Sequence, residues 1–272
     1  MYSLHRISVS FFCVFLSSVA YGSNIYRLPA GAVEAGMGSV CIIKTGFWTS
    51  FQNQALLADY RSLSAGINYE SRFNISELGT RTAGIIIPAG GTSLGIVYSH
   101  FGFSHFRRET GGIACGLRLS EKISAGIQVD YFSEKTTGEY DDIQSVTCEA
   151  GFLFNPAENI TIGIHIFNPV PNSLRRINMP SSLRAGAGIK LSKVLFAGAE
   201  AEMSSGKNLI LRTGFEYEAA NQFRIRGGFS SENTSFSFGL GHNLKSLWMD
   251  LGFATHEKLG ITSSVSLIFK IK

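Results

Sequence analysis

From residue 59 to the end of the chain, apolar residues alternate with polar residues or glycine. In residues 123–131, every second position is apolar or aromatic, and Ser, Gly, Gln or Asp occupies the positions between them. Successive side chains of a strand point to opposite faces of a sheet, so this period of two predicts a strand with one apolar face. The pattern recurs and predicts about fourteen strands, at residues 62–72, 80–87, 91–100, 110–119, 122–132, 145–154, 159–167, 181–191, 194–203, 207–218, 222–230, 233–242, 246–255 and 261–271.

The lengths of these strands and of their connections favour a membrane barrel over a soluble β-sandwich. Most predicted strands are close to the roughly 9–11 residues that a tilted strand needs to cross a bilayer. Connections after even-numbered strands are short, and those after odd-numbered strands are mostly longer, as at residues 101–109, 133–144 and 168–180. Outer-membrane barrels show this asymmetry, with short periplasmic turns. We therefore predict an all-β fold: a transmembrane antiparallel β-barrel with both ends of the mature chain on the periplasmic side.

Glycine occupies much of the polar face of the predicted strands. A soluble sandwich would place Lys, Glu and Thr there, whereas these strands repeatedly place glycine, as at Gly116, Gly126, Gly214, Gly228 and Gly239. Glycine weakens a strand, so a face that keeps it is one that another backbone approaches closely. A narrow lumen filled by a further segment of the chain supplies that reason.

Residues 31–58 are the sizeable stretch of the mature chain that lacks the period of two. Glycines interrupt any helix there at about 1 kcal/mol each relative to Ala. The stretch nevertheless carries Met37, Trp48 and Leu56, and it is too apolar for a solvated tail. We predict that residues 23–58 fold into the lumen as an N-terminal plug and that residues 59–272 form the barrel.

The first residues have the pattern of a secretory signal peptide. Residues 1–22 combine a short basic start, an apolar run and Ala20-Tyr21-Gly22, whose small residues suit signal peptidase. This pattern and the barrel together predict export to the cell outer membrane of a Gram-negative bacterium. The mature chain keeps three cysteines without C-x-x-C spacing, which argues against a disulfide framework and leaves a Cys115–Cys148 pair as an alternative.

The charge of the chain argues against a nucleic-acid partner. The formal net charge of +4 is spread along the chain without a basic cluster, so nucleic-acid binding has no support. The predicted membrane barrel makes outer-membrane lipid an expected partner. No serine, carboxylate and histidine have a spacing typical of a membrane hydrolase. We therefore predict no enzyme activity and no cofactor. His100 and His105 share one predicted outer loop, but we predict no metal site there.

Charged residues of both signs fall on the predicted lumen face. A pore selective for one sign of ion would show an excess of one charge. The near balance indicates a structural polar network that holds the plug, with a substrate-conducting lining as the alternative. The predicted network comprises Glu70, Asp130, Glu149, Arg184, Glu200, Arg212, Arg224 and Arg226, with Glu202, Glu216 and Asp250 on the same face.

Three phenylalanines lie in the predicted outer loop at residues 101–109. Phe101, Phe103 and Phe106 are the aromatic side chains there that could contact a hydrophobic ligand from outside the cell. They are therefore the candidate outer hydrophobic contact.

Two regions carry a resemblance to a known family. The N-terminal stretch has the motif residues Gly36, Met37, Gly38, Trp48, Asn53, Ala55 and Leu57. With Phe167-Asn168-Pro169 and the following Met179-Pro180 region, it resembles the PorV/PorQ family of Bacteroidetes outer-membrane proteins, which is related in fold to FadL-type fatty acid transporters. In that family a Gly-Ala-rich, Met-Gly-containing segment precedes an Asn-Pro-Ala-Gly-Leu-Ala motif; here Gln54 replaces the Pro and Leu56 the Gly. The resemblance implies a barrel with an N-terminal plug.

The resemblance also implies two functions. The first is a component or docking scaffold of an outer-membrane complex, for type IX-like secretion or surface protein handling, with other outer-membrane or secretion proteins as partners. The alternative is a FadL-like transporter of hydrophobic small molecules. Balanced lumen charges and small outer loops favour the scaffold, whereas the FadL-like plug and the phenylalanines favour the transporter.

Overall fold

The structure, a computed structural model, describes residues 31–137, 142–169, 179–220 and 222–271. The predicted signal peptide at residues 1–22 and the first part of the predicted plug segment, residues 23–30, lie outside the described residues. Within the described ranges, no helix is long and apolar enough to cross a membrane.

The chain forms a closed antiparallel barrel of fourteen strands, in which each strand pairs with its sequence neighbours and β1 pairs with β14. The prediction of the fold class is therefore confirmed. The strands are β1 Leu63–Ser71, β2 Gly79–Ala89, β3 Thr92–Phe103, β4 Phe106–Arg118, β5 Ile123–Thr136, β6 Ile143–Ala157, β7 Ile160–Phe167, β8 Ser182–Lys190, β9 Leu195–Ser204, β10 Ile210–Ala220, β11 Phe223–Ser230, β12 Ser235–Leu244, β13 Leu247–His256 and β14 Gly260–Ile271.

The two faces of the wall separate as the alternation predicts. On β4 and β5, the cross-strand neighbours Ile113 and Val129 point outward, and Ile113 keeps 66% of its surface exposed. On the inward face of β5, Gln128 and Asp130 are fully buried. Closure pairs every strand on both sides, so a barrel with an apolar exterior has no open edge to expose to lipid.

Two connections are shorter than predicted. β5 continues to Thr136 and β6 begins at Ile143, which shortens the connection predicted at residues 133–144. The stretch 101–109 is not an outer loop: β3 continues to Phe103 and β4 begins at Phe106, so Ser104 and His105 alone connect them. Gly102 has a φ of 109°, a conformation that suits glycine, and it lets the ladder continue to the Phe103–Phe106 pair. At this rim the strands extend beyond the apolar zone of the membrane, so their outward side chains need not be apolar and the alternation weakens. The pattern therefore predicted strands that are too short at this end.

Residues 31–60, here named the lumen segment, pack against the inward side of the wall. They contain helix α1, Ala32–Gly36, and short 3₁₀ helices at Thr49–Phe51 and Gln54–Asp59. Most of their side chains are buried, including Met37, Ile42 and Leu57. The approach is closest at wall glycines, since a Cβ on Gly36 would lie 2.8 Å from the Cα of Gly239 on β12. The position of the segment is thus defined, and its action as a plug stays a prediction.

Candidate functional site

The first contact between wall charges and the lumen segment involves β8 and β9. Glu200 accepts hydrogen bonds at 2.7 Å from the backbone N–H groups of both Cys41 and Ile42. Arg184 pairs with Glu200 at 3.4 Å and also contacts the sulfur of Cys41. Because Glu200 and Arg184 are almost fully buried, these charges stabilise each other and also satisfy backbone groups of the segment.

The same cluster continues along the wall through Glu202. This carboxylate pairs with Arg184 at 2.5 Å and with Arg212 of β10 at 2.8 Å, and Arg212 also reaches Glu232 at 3.0 Å. Breaking a buried pair by removing one partner leaves an uncompensated charge and is strongly destabilising. The cluster therefore fixes the inward side of β8–β10 and the part of the lumen segment that rests on it.

A second cluster joins Lys44 of the lumen segment to β10, β11 and β13. Lys44 pairs with Glu216 at 2.8 Å, Arg226 pairs with Glu216 at 2.7 Å, and Arg226 also pairs with Asp250 at 2.7 Å. Arg224 lies at the edge of this cluster, 3.7 Å from Glu216. Burial lowers the pKa of Lys44, and Glu216 opposes that shift by favouring the ammonium form.

A third cluster joins Gln54 to β5, β6 and β7. The Gln54 amide donates to Glu149 at 2.9 Å, and His165 shares the same carboxylate oxygen at 2.9 Å. Gln128 donates to Asp130 at 2.8 Å beside them. Three separate parts of the lumen segment are therefore attached to three sectors of the wall by polar side chains.

The structure brings together seven of the eight predicted network residues, in three clusters rather than one network. Glu70 is separate, since it pairs with Arg72 at 3.0 Å near the rim formed by the longer connections. Lys44 and Gln54 were not predicted as members. Both lie on the segment without periodicity, where no sequence pattern indicates which way a side chain points.

Glu34 is a further buried carboxyl group in the lumen segment that the sequence did not single out. Its side chain is 1% exposed, and its Oε2 makes no hydrogen bond to a described residue. Burial raises the pKa of Glu34 to about 7, although Lys44 and Arg226 oppose the shift. The group therefore loses its proton only near neutral pH while the segment stays packed.

We expect the barrel to lose stability between pH 4 and pH 8 through Glu34. A raised pKa means that the folded state holds the proton over a range in which the unfolded chain has lost it, so stability falls as pH rises from 4.5 to about 7. At about 1.4 kcal/mol per pKa unit, the loss amounts to about 3 kcal/mol at pH 8. Urea unfolding followed by gel mobility should show this loss in the wild type and not in Glu34→Gln.

The control for this prediction is Glu121→Gln, which removes an exposed carboxylate between β4 and β5. It should keep the pH dependence of the wild type. An identical pH dependence in Glu34→Gln and the wild type would show that Glu34 ionises as freely in the folded barrel as in the unfolded chain.

The glycine part of the predicted plug motif lies against β10, β11 and β12. A Cβ on Gly228 would lie 2.6 Å from the carbonyl oxygen of Met37 and would overlap the nitrogen of Gly38. Gly38 itself has a φ of 67°, which favours glycine. Gly36, Met37 and Gly38 thus lie where the segment and the wall touch backbone to backbone.

The rest of the motif stabilises the segment internally and against β1–β4 and β14. Trp48 packs edge-on against Phe47, with ring centroids 4.8 Å apart, in a buried cluster that also contains Leu57. Asn53 accepts a hydrogen bond from the N–H of Ala55 at 3.2 Å and donates to the carbonyl of Ile42 at 2.8 Å. These contacts explain why Trp, Asn and small residues occur at those positions.

The three predicted outer phenylalanines do not form one surface. Phe101 and Phe106 contact each other with centroids 6.2 Å apart, and the guanidinium of Arg108 lies 5.6 Å from the ring of Phe106. Phe103 is 42% exposed and lines a separate cleft of about 720 Å³ with Arg81 and other polar residues. A ligand from outside would therefore meet Phe103 in a different environment from the Phe101–Phe106 pair.

Comparisons with known proteins concern the fold. No protein-family model and no curated protein match the chain. The toluene transporter TbuX of Ralstonia pickettii is similar in structure, with a TM-score of 0.65 and 12% identity over 88% of this chain and 97% of that chain. A Pseudomonas aeruginosa FadL homologue has a TM-score of 0.63 and 12% identity over 90% of this chain and 98% of that chain.

A third similar structure is the toluene transporter TodX of Pseudomonas putida. Its TM-score is 0.66 and its identity 9%, over 88% of this chain and 96% of that chain. The TM-scores establish a shared fold, whereas identities this low leave the activity open. The PorV/PorQ resemblance receives no support from these comparisons, whereas this chain has the fold of the FadL-like outer-membrane barrels.

Proposed function

We propose that this chain is a non-enzymatic outer-membrane channel that passes a hydrophobic small molecule, with the lumen segment as a movable plug. The observation that carries the proposal is the attachment of the segment. Polar contacts through Glu200, Glu216 and Glu149 hold it, together with close glycine contacts. Such contacts can be exchanged for water when the segment moves, so the lumen can open without unfolding the wall.

The comparisons support this proposal over the docking scaffold. Two of the similar structures are described as toluene transporters, and the third as a FadL homologue. They support a location in a Gram-negative outer membrane, with lipid as the surrounding partner, and export through the predicted signal peptide belongs to the same proposal. For this chain we infer the class of ligand, a hydrophobic small molecule, and not toluene itself.

We expect Phe101→Asp together with Phe106→Asp, the two phenylalanines in contact, to lower uptake of a radiolabelled hydrophobic probe by about tenfold, the effect of about 1.4 kcal/mol of lost binding. A carboxylate in either position replaces an apolar contact at the entrance by a hydrated charge. Uptake into proteoliposomes should be measured with toluene and with a medium-chain fatty acid. The matched control is Phe236→Asp, which places the same charge on the exposed outer face of β12.

Uptake that is equal in the double variant and the wild type would remove these phenylalanines from the pathway. Uptake no faster than in protein-free liposomes would contradict the transport proposal and favour the docking scaffold. For that role, the PorV/PorQ resemblance predicts stable co-purification with secretion or other outer-membrane proteins. A pull-down in mild detergent with mass spectrometry measures it.

A further inference from the structure

The outward side of β2–β5 carries a group of basic side chains near the rim with the longer connections. Arg81 and His100 are cross-strand neighbours on β2 and β3, and Arg107 and Lys135 are neighbours on β4 and β5, one row nearer the rim. All four line the cleft of about 720 Å³ that also contains Phe103. Gly102, the partner of Arg107 on β3, also lines this cleft. These four residues are named the basic cleft.

An apolar groove of about 790 Å³ continues from the basic cleft along the wall. Arg81 and His100 line both spaces, so the two are contiguous. The floor of the groove contains Ala83, which stands between the larger side chains of Ile67 and Tyr98 in one row of cross-strand neighbours. A small residue between two bulky neighbours leaves a furrow on the lipid-facing surface, and we infer that a hydrocarbon chain fits there.

Aromatic residues place the basic cleft at the depth of lipid headgroups. Tyr98 and Tyr131 lie in one row on either side of Gly111, and both are exposed on the outer face. Tyrosine girdles mark the boundary of the apolar zone in outer-membrane barrels. His100 is the next outward residue toward the rim from Tyr98, so the cations lie just beyond that boundary.

The basic cleft is also confined to one sector of the wall. Near the same rim, exposed positions on β9, β10 and β12 are apolar, as at Met203, Leu211 and Phe236. An apolar side chain suits the end of a membrane strand, whereas a cluster of arginines and lysine there has an electrostatic cost unless an anion accompanies it. The concentration of cations on β2–β5 therefore indicates a ligand of opposite charge.

Carboxylates of the chain neutralise this cluster only in part. Glu77 and Asp142 line the cleft, and Asp142 lies 3.9 Å from the Nζ of Lys135. Glu109 accepts a hydrogen bond from Tyr98 at 3.1 Å. Among the described residues, no carboxylate forms an ion pair with Arg81 or Arg107, and the guanidinium of Arg81 instead lies 5.9 Å from the ring of Tyr69.

We propose that the basic cleft and the groove together bind one phosphate-bearing, acylated lipid of the outer leaflet. Its phosphate would contact Arg81, Arg107 and Lys135, since guanidinium groups hold phosphate oxygens through paired hydrogen bonds. One acyl chain would lie over Ala83 in the groove. This proposal rests on the outer-membrane location and not on transport, because the surface concerned faces outward and is separate from the lumen.

The test is binding of diphosphoryl lipid A to the full-length protein in detergent, measured by native mass spectrometry. We expect Arg81→Gln, Arg107→Gln and Lys135→Gln combined to weaken binding by at least about tenfold, whereas Lys122→Gln, Lys193→Gln and Lys258→Gln combined should leave it unchanged. Dephosphorylated lipid A should bind the wild type more weakly. Ala83→Phe should fill the groove and weaken binding without a change of charge.

Equal binding of phosphorylated and dephosphorylated lipid A by the wild type would overturn the proposal, and so would full competition by inorganic phosphate, which would indicate a site for a free anion. The first comparison needs no variant and therefore remains valid if the triple variant fails to fold. Uptake and lipid binding are measured in separate experiments. A negative result for transport therefore does not affect the test of the lipid site.

Discussion

Deletion of residues 31–58 is expected to convert the barrel into an open pore with several-fold higher conductance in planar bilayers. We expect that the wall does not close the lumen by itself, because seven of the inward positions that the segment contacts are glycine. The three atoms nearest to a Cβ at each of these positions belong to the lumen segment. The positions are Gly116, Gly126, Gly151, Gly163, Gly214, Gly228 and Gly252. Single-channel recording of the refolded variant measures the effect.

The control for this deletion is the intact chain, refolded and recorded under the same conditions. Heat-modifiable gel mobility should be present in both proteins, because the strand ladder does not depend on the segment. Equal conductance in both would mean that wall side chains such as Arg184, Arg212 and Arg226 close the lumen without the segment. In that case the movable plug would have to be abandoned.

The second large effect is expected from one added side chain on the inward wall. Gly228→Val would place atoms where the Met37 carbonyl oxygen and the Gly38 nitrogen now lie. Overpacking of this kind typically costs about 1–3 kcal/mol. The atoms that clash here belong to the backbone of Met37 and Gly38, which cannot rotate aside as a side chain can. We therefore expect the first residues of the lumen segment to be displaced from the wall.

Cys41 reports this displacement directly. It is buried and follows Gly38 by three residues in the lumen segment, whereas Cys115 and Cys148 are on the wall and can be replaced by Ser. Labelling of Cys41 by a maleimide should be slow in the parent protein and at least about tenfold faster in Gly228→Val, the change expected for about 1.4 kcal/mol. Mass spectrometry measures the rate.

The matched control is Gly111→Val on the outward face of β4. A Cβ there meets no atom within 4 Å, and valine suits an exposed apolar strand position. Labelling of Cys41 should remain slow in this variant. Fast labelling in both variants, or in neither, would contradict the assignment of the inward glycines as the surface on which the segment rests.

Besides its buried apolar cluster, the lumen segment is attached by two kinds of contact that differ in their sensitivity to pH and salt. The glycine contacts with β10–β12 depend on shape, and they are independent of pH and salt. The polar clusters through Glu200 and Glu216 depend on charge, although burial protects them from screening. Glu34 adds a dependence on pH close to neutrality, because burial raises its pKa to about 7. Movement of the segment should therefore respond to pH more strongly than to salt.

The sequence determined the wall of this protein almost completely. A period of two is a local property that decides which residues of a strand share a face, and neighbouring antiparallel strands need only short turns to pair. The strands and the inward orientation of charges such as Asp130, Glu149 and Arg226 therefore followed from the pattern alone. The glycine-rich face also indicated that something packs against the wall from inside.

Tertiary structure alone decided which groups meet across the lumen. Lys44, Gln54 and Glu34 lie on a segment without periodicity, so their directions depend on contacts with wall residues that are distant in the chain. The same holds for the basic cleft, because Arg81 and Lys135 interrupt the apolar face of separate strands and become neighbours only through the register of β2–β5. Alternation fixes the face of a residue, whereas register and closure of the barrel fix its partners.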